Sequence, residues 1–141
     1  MTMRATRDLA EVNSWSEGTL PGLFGIAINE IGDGVVRASM TIRPDLLAPN
    51  SYLHAGTLVT LADTACGYGT VATLPDGASG FTTLELKTNF ISTLREGMLT
   101  CVATRIHGGR TTQVWDATVS DAATDRVLAV FRCTQLLLYP R

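Results

Sequence analysis

The sequence predicts an α+β domain in which one long helix lies against a largely antiparallel sheet. Three observations carry that expectation: a single helical run near the middle of the chain, a strand pair with a hairpin signal before it, and a C-terminal half that reads as strands only.

Taken in order, residues 6–15 suit a short helix, with Leu9 and Val12 three apart on one side. Residues 18–22 read as a turn, because Gly18, Pro21 and Gly22 all break regular structure. Residues 23–31 and 35–42 read as paired strands across Gly32-Asp33-Gly34. In the second of these, Val36, Ala38, Met40 and Ile42 alternate with Arg37, Ser39 and Thr41, the period of a half-buried strand. The chain is then irregular over residues 44–52, where Pro44, Pro49, Asn50 and Ser51 cluster.

The helix begins near His54 and runs to about Thr73, where Pro75-Asp76-Gly77 stops it. Leu58, Leu61, Ala62, Ala65 and Gly69 share one face at steps of three and four. Their small size predicts a helix pressed closely against the sheet. Residues 82–91, 98–106, 111–120 and 127–138 are rich in Thr, Val, Leu and aromatics and read as strands. A sheet with one helix on one face leaves surface without a partner, so a homo-oligomer, dimer or dimer of dimers, is expected.

The 141 residues fit a single domain, 1–141, with no linker composition. A content of 45% hydrophobic and 17% charged residues is ordinary for a globular core. A net charge of −2 lacks the basic footprint of a nucleic-acid binder. No run of about 20 apolar residues is present to span a membrane. The first 20 residues are mixed polar and charged, without the apolar core of a signal peptide, so a cytoplasmic location is expected. Cys66, Cys101 and Cys133 are odd in number and lack ligand spacing. Reduced core thiols, no metal and no cofactor are the expectation.

The chemistry concentrates between Asn50 and Thr64. His54-Ala55-Gly56 stands where irregular chain enters the helix, and a helix start presents free N–H groups and the positive end of the dipole. The amides of Ala55 and Gly56 could polarise a substrate carbonyl as an oxyanion hole. Alternatively, Gly56 serves only tight packing. Asp63 is the one charge in the run Leu53 to Leu74, among Leu61, Ala62, Thr64, Ala65 and Cys66. It is either a solvated surface carboxylate or a catalytic one, acting as general base or as nucleophile. Seven residues, roughly 10 Å of helix, separate it from Gly56. One helix therefore cannot bring both groups to one substrate, whereas an antiparallel second copy can, across a two-fold axis. If both are catalytic, the active site is shared between subunits.

The run Asn50-Ser-Tyr-Leu-His54-Ala-Gly56-Thr-Leu-Val-Thr-Leu-Ala-Asp63 resembles the signature of hotdog-fold acyl-CoA thioesterases of the phenylacetic-acid-degradation type. Those carry Asn, then His-Gly-Gly, then a helix with Leu-Ala-Asp. The stretch Gly80 to Phe90 resembles the family's next strand, and Gly108-Gly109-Arg110-Thr111 the turn before another. The resemblance implies a hotdog fold, with the sheet wrapped around the central helix, and hydrolysis of an acyl- or aryl-CoA, the CoA being part of the substrate. By the same resemblance Asp63 is base or nucleophile, and the Ala55 and Gly56 amides with the Asn50 side chain polarise the thioester. Thr83 helps orient water, and His54 shapes the helix entry. Tyr68 lines the acyl pocket, while Arg110, Thr111 and Lys87, with Arg95, are candidates to meet CoA. Ala55 departs from the family's Gly-Gly pair; it still donates its N–H. A non-catalytic acyl-CoA sensor would keep the pocket without needing Asp63. A hotdog hydratase or dehydratase would instead use His54 with an acid, but the motifs of those enzymes are absent.

Overall fold

The computed structural model describes residues 3–141. Six antiparallel strands form one sheet in the order β1-β2-β4-β5-β6-β3. They are β1 (Ala27–Ile31), β2 (Val35–Thr41), β3 (Gly80–Phe90), β4 (Met98–Gly108), β5 (Thr112–Asp121) and β6 (Val127–Leu138). The long helix, α3 (Ala55–Ala72), covers one face of the sheet, and two short helices, α1 (Leu9–Ser14) and α2 (Leu20–Leu23), precede the first strand. This is the hotdog architecture, an α+β fold with a sheet around one central helix.

The N-terminal expectations need trimming. The first helix starts at Leu9 because Asp8 caps it, its carboxylate accepting from the Ala10 and Glu11 amides at 2.9 and 3.1 Å. Residues 18–22 are more than a turn: Pro21 falls in the first turn of α2, where its missing N–H costs nothing. Gly25, at φ +72°, then redirects the chain, so β1 begins at Ala27 rather than at residue 23.

The alternation in β2 is real. Val36, Ala38 and Met40 are buried and Arg37 is exposed. Trp115 of β5, fully buried, lies under α3. A Cβ on Gly69 would come within 2.5 Å of the Trp115 ring, so glycine is what lets the helix settle on the indole. The Trp115 Nε1–H donates to Gln113 Oε1 at 2.8 Å, and Gln113 Nε2 donates to the Thr73 carbonyl just past the helix end. Cys66, Cys101 and Cys133 are buried free thiols, and burial pushes Cys101 up to about 12. Among the described residues no helix is long and apolar enough to cross a membrane.

β3 forms one edge of the sheet and is the least covered strand, with Leu84, Leu86 and Phe90 all exposed. An 11-residue edge that is open and apolar is a surface proteins normally cover.

Candidate active site

The helix start is built as the sequence implies, with one addition. His54 is the N-cap of α3, and its Nδ1 accepts the Gly56 N–H at 2.8 Å. That bond fixes the neutral imidazole with its proton on Nε2. A side chain at position 56 would put its Cβ 3.0 Å from the same nitrogen, so the cap itself favours glycine there. The Ala55 N–H, the first of the helix, has no acceptor among the described residues. Of the two expected oxyanion donors, Ala55 is open and Gly56 is held by the His54 ring. A crevice of about 280 Å³ runs past this point, lined by Phe24, Leu46, Leu47, His54, Gly56 and Thr60 among others.

Asp63 lies two turns further along, half-buried, with Oδ1 fully enclosed and without a partner among the described residues. Burial alone raises its carboxyl above the usual carboxylate range. Gly67, one turn on and on the same side of the helix, packs against the Phe81 ring of β3. Asp63 therefore points to the β3 side of α3. Thr83 follows Phe81 by two residues, so it shares that face of the strand. Its hydroxyl donates to Gln135 Oε1 at 2.7 Å.

The other expected residues are scattered. Asn50 is exposed, and its side-chain oxygen accepts from the Tyr52 amide at 3.2 Å in the turn before the helix. Tyr68 is buried: its hydroxyl meets Ser16 Oγ at 2.8 Å and its ring meets Trp15 edge-on at 5.3 Å. It clamps the N-terminal segment to the helix. Arg110 and Thr111 are exposed in the β4–β5 turn, their carbonyls accepting from Tyr139 Oη and the Leu137 amide. Lys87 pairs in register with Arg132, whose guanidinium bridges Asp116 on the sheet face away from α3. Arg95 stacks on Tyr52, its guanidinium carbon 4.2 Å from the ring centre. Among the described residues no group of three or more His, Cys, Asp or Glu side chains comes together to hold a metal ion.

One residue escaped the sequence reading. Gln135 is wholly buried, with Nε2 unpartnered among the described residues. Its signal was present: the inward positions of β6 read Phe131, Cys133, Gln135, Leu137, and only one of them carries an amide.

The fold and the helix start together define a hotdog protein with an amide-lined helix N-terminus and an isolated helical carboxylate. Residues 50–128 match the family model described as the thioesterase superfamily, which is more than half of the chain. The chain belongs to that superfamily and so to the thioester hydrolases. It is 32% identical over 117 residues to PA1618 of Pseudomonas aeruginosa, 83% of this chain and 81% of that one. The crystal structure of a mutant of PA1618, described as a thioesterase, superposes with a TM-score of 0.90 at 29% identity, covering 99% and 100% of the two chains. A 1,4-dihydroxy-2-naphthoyl-CoA hydrolase of Listeria monocytogenes is 31% identical over 111 residues, 79% of this chain and 89% of that one.

Proposed function

We propose that the protein is an acyl-CoA thioesterase that works as a two-fold oligomer, with Asp63 as the general base. The observation that carries this reading is Asp63 itself, a carboxylate with one enclosed, unpartnered oxygen beside an exposed apolar edge strand. A structural carboxylate would have found a donor, since an unpaired buried acceptor is costly. A non-catalytic acyl-CoA binder would have no use for it.

Asp63 and the Ala55 amide lie on one helix about 12 Å apart along its axis. A second copy docked through β3, with its helix antiparallel, brings one subunit's Asp63 to the other's helix start. Leu84, Leu86 and Phe90 would be covered in the same step. The thioester oxygen then meets the Ala55 amide, and the Gly56 amide once the His54 ring turns aside. Asp63 removes a proton from water, whose oxygen attacks the carbonyl carbon. The C–S bond breaks and the departing CoA thiolate takes the proton. The naphthoyl-CoA hydrolase among the relatives makes aryl-CoA esters the first substrates to try.

The test is release of free CoA thiol from aryl, short-chain and medium-chain acyl-CoAs by wild type and Asp63→Asn. Wild type should hydrolyse at least one, and the variant should lose about 10²-fold or more, the range of general-base work. Light scattering should give a dimer or larger for both. Full activity in Asp63→Asn would remove the carboxylate from the mechanism, and a monomeric active enzyme would remove the shared site.

A further inference from the structure

We infer that Gln135 is a positioning residue for hydrolysis: it holds the Thr83 hydroxyl proton, so that Thr83 turns its lone pairs to the attacking water. The inference rests on the thioesterase reading and extends it to a residue that does not touch substrate.

Two glutamines face the helix side by side on neighbouring strands. Gln113 and Gln135 pair in register across β5 and β6, and Thr83 pairs with Gln135 across β6 and β3. The three side chains form one polar rung on the helix-facing side of the sheet. Gln113 is saturated at both ends, with Oε1 accepting from Trp115 and Nε2 donating to the Thr73 carbonyl. That is a structural glutamine. Gln135 is as deeply buried, yet among the described residues its side chain makes one hydrogen bond, the one accepted from Thr83, and its Nε2 has no partner. Its neighbours along the strand, Cys133 and Leu137, are apolar and buried. A hydrocarbon at 135 would leave no orphaned amide, so the residue earns its place by what it does to Thr83.

A hydroxyl has one proton and two lone pairs. With the proton committed to Gln135 Oε1, Thr83 Oγ1 presents only an acceptor to anything else that approaches it. The step from Phe81 to Thr83, two strand residues, is about 6.6 Å. The step from Gly67 to Asp63, one helical turn, is about 6 Å. Since Gly67 faces Phe81 and the strand continues towards the helix start, the two steps run together and leave Thr83 opposite Asp63. A bulge immediately after Thr83, where the β3–β6 register shifts between Thr83 and Glu85, sets the aim of this part of the strand. A water between the two groups donates one hydrogen bond to the Asp63 carboxylate, which takes that proton on attack, and the other to Thr83 Oγ1. A lone pair of the water oxygen then faces the thioester carbon. Were Thr83 free to rotate, it could donate to the water instead and occupy the lone pair needed for attack.

The experiment is a double-mutant cycle on kcat and KM with the best acyl-CoA substrate, using Gln135→Met, Thr83→Val and the double variant. Gln135→Met should lower kcat roughly 10- to 100-fold with KM little changed, as misplacement of a reacting group does. Thr83→Val should lose at least as much, and the double variant no more than Thr83→Val. Gln135→Glu keeps an acceptor for the Thr83 proton and should retain kcat within about threefold, a change below one-tenth of what general-base loss produces; a thermal melt of each variant beside wild type separates lost folding from lost chemistry. Losses that multiply in the double variant, a Gln135→Met effect confined to KM, or a Gln135→Glu loss equal to that of Asp63→Asn would each overturn the inference. Wild type inactive on every thioester overturns the thioesterase reading and this inference with it. An active wild type, silenced by Asp63→Asn but untouched by Gln135→Met, overturns only the role of Gln135.

Discussion

The two flanks of α3 are finished to different degrees. Towards β2 and β5, Gly69 presses on Val36 and Trp115, Leu61 and Ala65 lie on the same side of the helix, and every one of these is closed to solvent. Towards β3, the helix offers Asp63, and the strand offers exposed Leu86 and Phe90 on the same face as half-buried Thr83 and Thr88. All three unpartnered buried side-chain atoms among the described residues, on Asp63, Thr88 and Gln135, lie on this second side. The closed flank holds the fold together. The open flank carries the polar groups that chemistry needs and the apolar edge that a second copy would cover.

Two glycines one half-turn apart test that contrast most strongly. A Cβ on Gly69 meets Trp115 at 2.5 and 2.8 Å and Val36 at 2.9 Å, all in side chains with no room to retreat. Gly69→Ala should therefore destabilise by about 1–3 kcal/mol through overpacking, even after the helix-propensity gain of roughly 1 kcal/mol. A Cβ on Gly67 meets only the tip of half-buried Phe81, at 3.1 Å. Gly67→Ala should be neutral or slightly stabilising, because the ring can yield and the helix gains propensity. Urea titration of both variants measures the difference directly. Equal losses would mean that the β3 flank is packed as tightly as the other.

The helix entry provides the next effect in size. His54→Ala removes the acceptor of the Gly56 amide and should cost about 1 kcal/mol, while His54→Asn, a good N-cap, should recover most of it. Thermal melting of the two variants side by side checks this. No difference between Ala and Asn would mean that the imidazole does not cap the helix in solution.

The closed flank was legible in the sequence and the open one only in part, for a physical reason. Leu58, Leu61, Ala62, Ala65 and Gly69 announce themselves by period, because a buried helical stripe repeats at three and four. Asp63 stood out as the one charge in that run, so its singularity was readable too. The state of the Gly56 amide was not readable, since it depends on which nitrogen of His54 meets it. Gln135 was missed because strand alternation marks the side a residue faces, and carries nothing about which cross-strand neighbour will answer an amide. The hairpin signal at Gly32-Asp33-Gly34 places a strand before it and does not mark where that strand starts, so residues 23–26 read as part of β1. In that segment, positive-φ Gly25 decides the path, and Leu23 is left exposed.

The smallest effect has the opposite sign and reports on the open flank itself. Burial raises the Asp63 carboxyl above its usual value, so between the unfolded and folded pKa the folded state binds more protons than the unfolded chain. Stability then falls as pH rises through that interval, and the cost of the charged form is fully present above it. Asp63→Asn carries no such charge. The variant should melt above wild type at pH 7 to 8, by less than the Gly69→Ala loss, because Asp63 is only half-buried. The gap should close as pH is lowered through the raised pKa to the usual carboxylate range. Differential scanning calorimetry across pH 4 to 8 measures it. A variant that melts below wild type at pH 8 would mean that the assembled protein gives the Asp63 carboxylate a donor from the second copy. The flank left open in one protomer would then be closed across the two-fold axis by a charged hydrogen bond as well as by apolar contact.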